Sequence, residues 1–329
     1  MDLSGLYANE IPDFLREACE TDAMVRLRSV GMNCGCEYTG FPRFRLAEPY
    51  SRFDHSLGVA LIVWQHTRDK RQAMAGLLHD IATPVFAHVV DFLKGDYLTQ
   101  EATEAGTEET IRSSCELLTA LKKYGLTVEA VKDYHRYPIA DNDSPRLSAD
   151  RLEYSFGNMI NYGFAKRCTA EILYKDITAG TNEYGEAELV FSHLEQAVLF
   201  SGLALSCAKV YVCDEDRYAM QRLAEILADA QKAGVIAADD LNGTEPQIIA
   251  ELTADRIAGA EWNAFRTLHA MEIAHGERPN GTWRKICAKK RCIDPYVAGK
   301  GRVSALDESF RTQLAEFRAQ SQDYWVRGY

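Results

Sequence analysis

The reading of this chain turns on RFDHSLGVALIVWQHTRDKRQAMAGLLHDIATPVFAH, residues 52–88. Leu57, Leu61 and Trp64 recur at helical spacing, and a second apolar run closes on Leu77 and Leu78. Two features do not belong to an ordinary pair of core helices. His55 opens the first run and the pair His79-Asp80 closes the second, each beside residues that belong in the interior. Imidazole and carboxylate groups in such places need partners, and a metal ion satisfies both kinds.

Upstream, residues 1–50 read as an irregular entry. A short helix over 11–19 is followed by Gly31, Gly35, Gly40 and Pro42, which predict turns with one or two short strands. Arg26, Arg28, Arg43 and Arg45 belong either to a loop packed on the core or to a flap that offers an arginine to an anion. Downstream, Thr83-Pro84 has the form of a helix start, predicting a helix over 84–94 closed by Gly95. An acidic loop, helices over 110–124 and 127–134, and the turn cluster PIADNDSP follow. Ser148 then caps a helix carrying Asp150, Arg151 and Tyr154. Asp150, in its first turn, either complements the helix dipole or supplies a ligand.

Beyond Gly163 the pattern reads as helical, over 193–211, 217–233 and a long run 246–275. The extended piece TWRKICAKKRCIDPYV (282–297) carries Lys285, Lys289, Lys290 and Arg291, either a solvated edge strand or a contact for phosphate or a partner subunit. The expected organisation is a metal-binding catalytic core over 1–190 and a mostly helical region over 191–329 that packs on it or forms an interface.

Whole-chain quantities narrow the function. A formal charge of −11 over 329 residues argues against broad nucleic-acid binding, which needs a basic face. It leaves room for a small phosphorylated substrate met by a few local arginines. The apolar run 59–64 is too short to cross a bilayer and no signal peptide is visible, so a cytoplasmic protein is expected. Nine cysteines, odd in number and without paired CxxC knuckles, fit reduced thiols in that compartment. His66, His135, His193, His269 and His275 show no ligand-like spacing and read as packing or surface groups.

Taken together, His55, His79, Asp80 and Asp150 offer two imidazoles and two carboxylates, a donor set for one divalent ion such as Mn, Fe, Co, Ni, Zn or Mg. Adjacent residues at a helix end can converge on one ion, with His55 reaching it from an antiparallel neighbour and Asp150 from a third helix. Such a site leaves coordination positions for water and a phosphate oxygen, so that the ion both acidifies the water and polarises phosphorus.

The segments RFDHSLGV (52–59), AGLLHDI (75–81) and DRLEY (150–154) resemble, in combination and order, the hallmarks of the HD-domain phosphohydrolases. The likeness is greatest to the dNTP triphosphohydrolase branch, which includes the mammalian SAM-and-HD-domain enzyme, and it covers roughly residues 24–165. It implies an all-α fold, an HD-domain helical bundle with a helical C-terminal extension and a few short strands. It also implies that His55, His79, Asp80 and Asp150 bind the metal, and that Arg52 and the region of Tyr154 meet substrate phosphate; Arg151 and the basic cluster 289–291 are weaker candidates for substrate contact. A nucleotide substrate and a homo-oligomer follow by the same analogy. Where that branch continues HDxGHxPFSH, this chain reads HDIATPVFAH (79–88), so Thr83 replaces a helper histidine while His88 matches the last one. A His-Glu pair of the branch appears as Gln100-Glu101. Threonine cannot act as acid or base near neutral pH, so Glu101 or Glu104 is expected to take that part.

Overall fold

The computed structural model describes residues 1–93 and 106–329. Helix accounts for 56 % of the chain and strand for 8 %, so the protein is mostly helical, with more sheet than the sequence led us to expect. Three short helices, Ser4–Tyr7, Asp13–Cys19 and Asp22–Arg26, lead into the irregular entry. That segment holds 3-10 turns and, in place of the expected strands, a single bridge between Gly31 and Ser51.

The helix Arg52–Thr67 starts at a reciprocal cap: the Asp54 amide donates to the Ser51 hydroxyl, and Asp54 Oδ2 accepts from the Ser51 amide. Such a cap contributes about 1 kcal/mol and fixes which face Arg52 and His55 present. Arg68, in the left-handed region at φ 54°, turns the chain back into Lys70–Leu78. These helices pack tightly because Gly76 lacks a side chain; a Cβ there would stand 3.2 Å from Val59 Cγ1. Ala149–Asn161, capped by the Ser148 hydroxyl as predicted, packs on the other flank of Arg52–Thr67.

Elsewhere most helices fall where the periodicity puts them, with different boundaries. The expected 110–124 helix is two, Thr107–Ser113 and Cys115–Lys123, because Ser114 breaks the first and caps the second. The 246–275 run divides at Asp255, whose carboxylate caps Arg256–Arg266 after Glu245–Ala254, and it ends in the strand Met271–Ala274. That strand pairs antiparallel with Trp325–Gly328. A hairpin of Ile177–Thr181 and Ala187–Phe191 lies in the stretch before the 193–211 helix, to which the sequence reading assigns no element; Tyr296–Val297 joins it in parallel and Gly301–Arg302 completes the sheet. The basic piece 282–297 is largely irregular rather than an edge strand.

Two apolar clusters form the interior. One gathers around Leu61, Leu77, Phe156 and Phe200, the other around Phe41, Phe86, Leu223 and Trp262. The chain crosses from the first to the second between Ile81 and Val85, immediately after His79-Asp80. The predicted helix over 84–94 is shortened by that crossing. Phe86 and Ala87 take positive φ of 57° and 46°, the Val85 amide donates to Leu241 O, and among the described residues helix begins only at Val89; Lys94 and Gly95 lie outside them. All nine cysteines are free thiols.

Candidate metal centre

His55 sits one turn into its helix and is 1 % exposed; His79 and Asp80, at the end of Lys70–Leu78, are 6 % and 5 % exposed. Asp150 approaches from the first turn of Ala149–Asn161. His55 Nε2 lies 3.0 Å from Asp150 Oδ1 and 3.9 Å from Asp80 Oδ2. His79 Nε2 lies 3.5 Å from Asp80 Oδ2 and 3.8 Å from Asp150 Oδ1. Ligands about 2.1 Å from one ion stand about 3.0 Å apart when adjacent and about 4.2 Å when opposite. All four separations lie within that span. The structure therefore brings together the four residues singled out in the sequence.

The tautomers suit this use. His79 Nδ1 donates to Gly76 O at 2.7 Å, and His55 Nδ1 faces Glu153 Oε2 at 2.6 Å, so each ring turns Nε2 toward the two aspartates. Burial opposes charge on His55, but hydrogen bonds to Asp150 and Glu153 outweigh it and push its pKa up to about 10. Burial would raise Asp80, yet Arg52, His79 and His55 hold it well below the usual carboxylate range. Asp150, against the same effect of burial, is brought to about 2, chiefly by its bond to His55. Two ionised carboxylates converging with two imidazole nitrogens in a nearly dry recess fit a divalent cation.

The residues behind the ligands were largely missed from sequence. Glu153 is fully buried and also accepts hydrogen bonds from the hydroxyls of Tyr50 and, at 3.4 Å, Tyr7. Its room comes from absent side chains: a Cβ on Gly58 would lie 2.5 Å from Glu153 Cγ, and one on Gly157 would meet the Tyr50 ring at 2.4 Å. Glu153 stands three residues after Asp150, on the same helix face, and that spacing was the available signal. Thr83 is fully buried and donates to Asp80 Oδ1 at 2.8 Å, so the residue replacing a histidine orients a ligand instead.

Arg52 is held by Asp80, its Nη1 lying 2.9 Å from Oδ2, while its Nε is buried with no hydrogen-bond partner among the described residues. Arg151 is engaged by Asn142 Oδ1 at 2.8 Å, Ser148 Oγ at 3.2 Å and Asp141 at 3.3 Å, and so braces the 141–148 turn. Tyr154 packs edge-on to Tyr211; burial, offset in part by Arg151 and Arg291, pushes its pKa up to about 12. His88 bonds Asp91 at 2.9 Å, and burial first, then Arg291 and Arg52, favour its neutral form. Arg291 of the C-terminal basic piece thus reaches the neighbourhood of the centre. Arg26 does not serve an anion: it donates to the carbonyls of Ile81, Thr83 and Gly243 and pins the turn after Asp80. Glu101 and Glu104 lie outside the described residues, as does Gln100.

No family model matches the chain. It is 23 % identical over 309 residues to the metal-dependent phosphohydrolase cns2 of the fungus Cordyceps militaris, covering 90 % of this chain and 84 % of that one. Its fold matches the phosphohydrolase BT4208 of Bacteroides thetaiotaomicron VPI-5482 with a TM-score of 0.67 at 14 % identity, over 97 % of this chain and 96 % of that one. The likeness to BT4208 shows a shared fold. The chain is also 24 % identical over 261 residues to the uncharacterized protein YdhJ of Bacillus subtilis (strain 168), covering 78 % and 76 % of the two chains. A hypothetical protein from Aquifex aeolicus shares the fold with a TM-score of 0.56 at 19 % identity, over 78 % of this chain and 71 % of that one. Among the described residues no single helix is long and apolar enough to cross a membrane.

Proposed function

We propose that this protein is a divalent-metal-dependent phosphohydrolase acting on a small phosphorylated molecule, with a nucleotide as the first candidate. The observation that carries the reading is the approach of both imidazole Nε2 atoms, on His55 and His79, to carboxylate oxygens of Asp80 and Asp150 at 3.0–3.9 Å, with Arg52 bonded to Asp80. A divalent ion held by those four residues supplies electrophilic activation of a phosphoryl group and acidifies water.

The chain's own residues do the rest. Glu153 and Gly76 O fix the imidazole tautomers, while Thr83 and Arg52 fix the two oxygens of Asp80. Arg52 sets positive charge beside the carboxylates, where phosphate oxygens gather negative charge during transfer. His88, held by Asp91 with its neutral form favoured, is placed to accept a proton near Arg52.

Within this class the motifs favour a dNTP triphosphohydrolase, and a monophosphatase or phosphodiesterase fits Thr83 in place of a histidine equally well. A protein that binds metal and nucleotide without turnover is the non-catalytic alternative. A screen of dNTPs and nucleoside monophosphates with Mn, Co, Ni, Fe and Mg separates these. Tripolyphosphate release supports the triphosphohydrolase, orthophosphate or diester cleavage the phosphatase or phosphodiesterase, and tight binding without product the sensor. We further propose a cytoplasmic homo-oligomer; light scattering at the monomer mass would contradict the assembly.

A further inference from the structure

The helix Leu194–Val210 is apolar on nearly every side, yet the fold covers only part of it. Phe200, Ala204 and Cys207 are buried. Val198, Leu199, Gly202, Leu203 and Ser206 meet solvent wholly or in part, and Leu199 is 47 % exposed. These five follow one another at steps of three and four residues, so they share one face. A surface helix normally carries charge on such a face. Here no charged residue occurs between Glu195 and Lys209. The hydroxyl of Ser206 is turned back on its own helix, donating to Gly202 O at 2.9 Å. Gly202 has no packing reason within the chain, for a Cβ there would meet nothing within 4 Å. A glycine inside a helix costs about 1 kcal/mol relative to alanine, and close approach of a second backbone is what would offset it. The helices packed against this one are of the same kind: Ile172 of Arg167–Lys175 and Leu306 of Val303–Leu306 are both exposed.

The ends of the face point to what covers it. Glu195 and Lys209 are exposed, and neither is taken up by an ion pair among the described residues. They stand seven residues before and seven after Gly202, about 21 Å apart along the helix and on the same side of it. Two copies of the helix laid antiparallel across a two-fold axis at Gly202 therefore set Glu195 of each against the partner's Lys209. The same operation puts Val198 over the partner's Ser206, a branched side chain opposite a small one. A lipid surface would call for a rim of lysine and arginine. One charge of each sign, placed symmetrically about the glycine, fits a second copy turned end for end.

We propose that the exposed face of Leu194–Val210 is the two-fold interface of a homodimer, with Gly202 on the axis and Glu195 and Lys209 paired across it. This rests on the homo-oligomer proposed above and is independent of the phosphohydrolase reading. Leu194–Val210 also packs on Ala149–Asn161, so a single helix separates the interface from the metal ligand Asp150.

The test is sedimentation velocity of the full chain over a dilution series, with circular dichroism to confirm that each variant keeps its helix content. Wild type is expected to be a dimer. Leu199→Glu places a charge in the apolar stretch at a position the monomer leaves exposed, and it is expected to be monomeric and folded. Glu195→Lys and Lys209→Glu each put two like-charge pairs into the interface and should raise the dimer dissociation constant about tenfold or more. The double variant Glu195→Lys with Lys209→Glu restores both pairs with their signs exchanged and should return to within about threefold of wild type. A role confined to the monomer's own fold would show no such rescue. A wild-type dimer that Leu199→Glu leaves intact, or single reversals that the double variant does not rescue, overturns this interface while the homo-oligomer stands. A monomeric wild type overturns both.

Discussion

Replacing Glu153 by Gln asks what the carboxylate behind His55 contributes. The side chain is fully buried, with Oε2 2.6 Å from His55 Nδ1 and further bonds from Tyr50 and Tyr7. Gln is nearly isosteric and its amide oxygen still accepts from Nδ1 and Tyr50, so packing against Gly58 is preserved; the charge is lost, and the long bond to Tyr7 must reverse, its hydroxyl accepting from the amide NH2. Full burial raises Glu153 above the usual carboxylate range, and its bonds from His55 and Tyr50 offset that only in part, so the contact with His55 is what favours its charged form. Without the charge, Nε2 of His55 becomes a weaker donor. Partners of this kind are worth about 10–100-fold in metal affinity, or about 1.4–2.7 kcal/mol. The assay is a chelator competition with Mn or Co on wild type and Glu153→Gln, with Tm recorded beside it. A dissociation constant raised about tenfold or more, with Tm of the metal-stripped protein changed little, is expected. An unchanged dissociation constant, whatever the Tm, refutes the claim that Glu153 tunes a ligand.

Three further outcomes follow from the same geometry. Gly58→Ala puts a Cβ 2.5 Å from Glu153 Cγ, so a stability loss of about 1–3 kcal/mol in urea titration and weaker metal binding are expected. Thr83→Val keeps shape but removes the donor to Asp80 Oδ1; about 1 kcal/mol of stability and a few-fold of metal affinity should go, while a change in substrate selectivity without either would contradict its role. In protein stripped of metal, His55 has a folded pKa of about 10 against an ordinary 6.5. Its stabilising contribution is therefore complete below about pH 6.5 and is lost as pH rises toward 10. Metal must displace that proton, so binding at pH 8 should release about one proton, read by calorimetry in buffers of different ionisation enthalpy.

What was legible in the sequence depended on how local the signal was. The helices around His55, His79 and Asp150 could be read because their apolar spacing and their caps, Ser148 above all, are short-range features. The hairpin 177–191 was not read as sheet; Asn182 and Gly185, with φ 79° at the glycine, supply its turn, but Ala187–Phe191 is also apolar enough to pass for helix. Thr83-Pro84 has the letters of a helix start, yet a tertiary demand overrode them: the chain must cross between two apolar clusters, and Leu241 O takes the Val85 amide. The four candidate ligands came from the motifs, but Glu153, Tyr50 and Tyr7 come from three separate segments and meet only in the fold. Arg151 shows the opposite limit. It reads as a phosphate contact, and its guanidinium is occupied in bracing a turn.

The central claim is tested most directly by elemental analysis of the purified protein beside His55→Ala and Asp150→Ala. About one divalent ion per chain in wild type, lost in both variants together with nucleotide hydrolysis, is the expected result. Wild-type protein without metal after exposure to Mn, Fe, Co, Ni, Zn and Mg, or variants that retain it fully, would contradict the assignment of the centre.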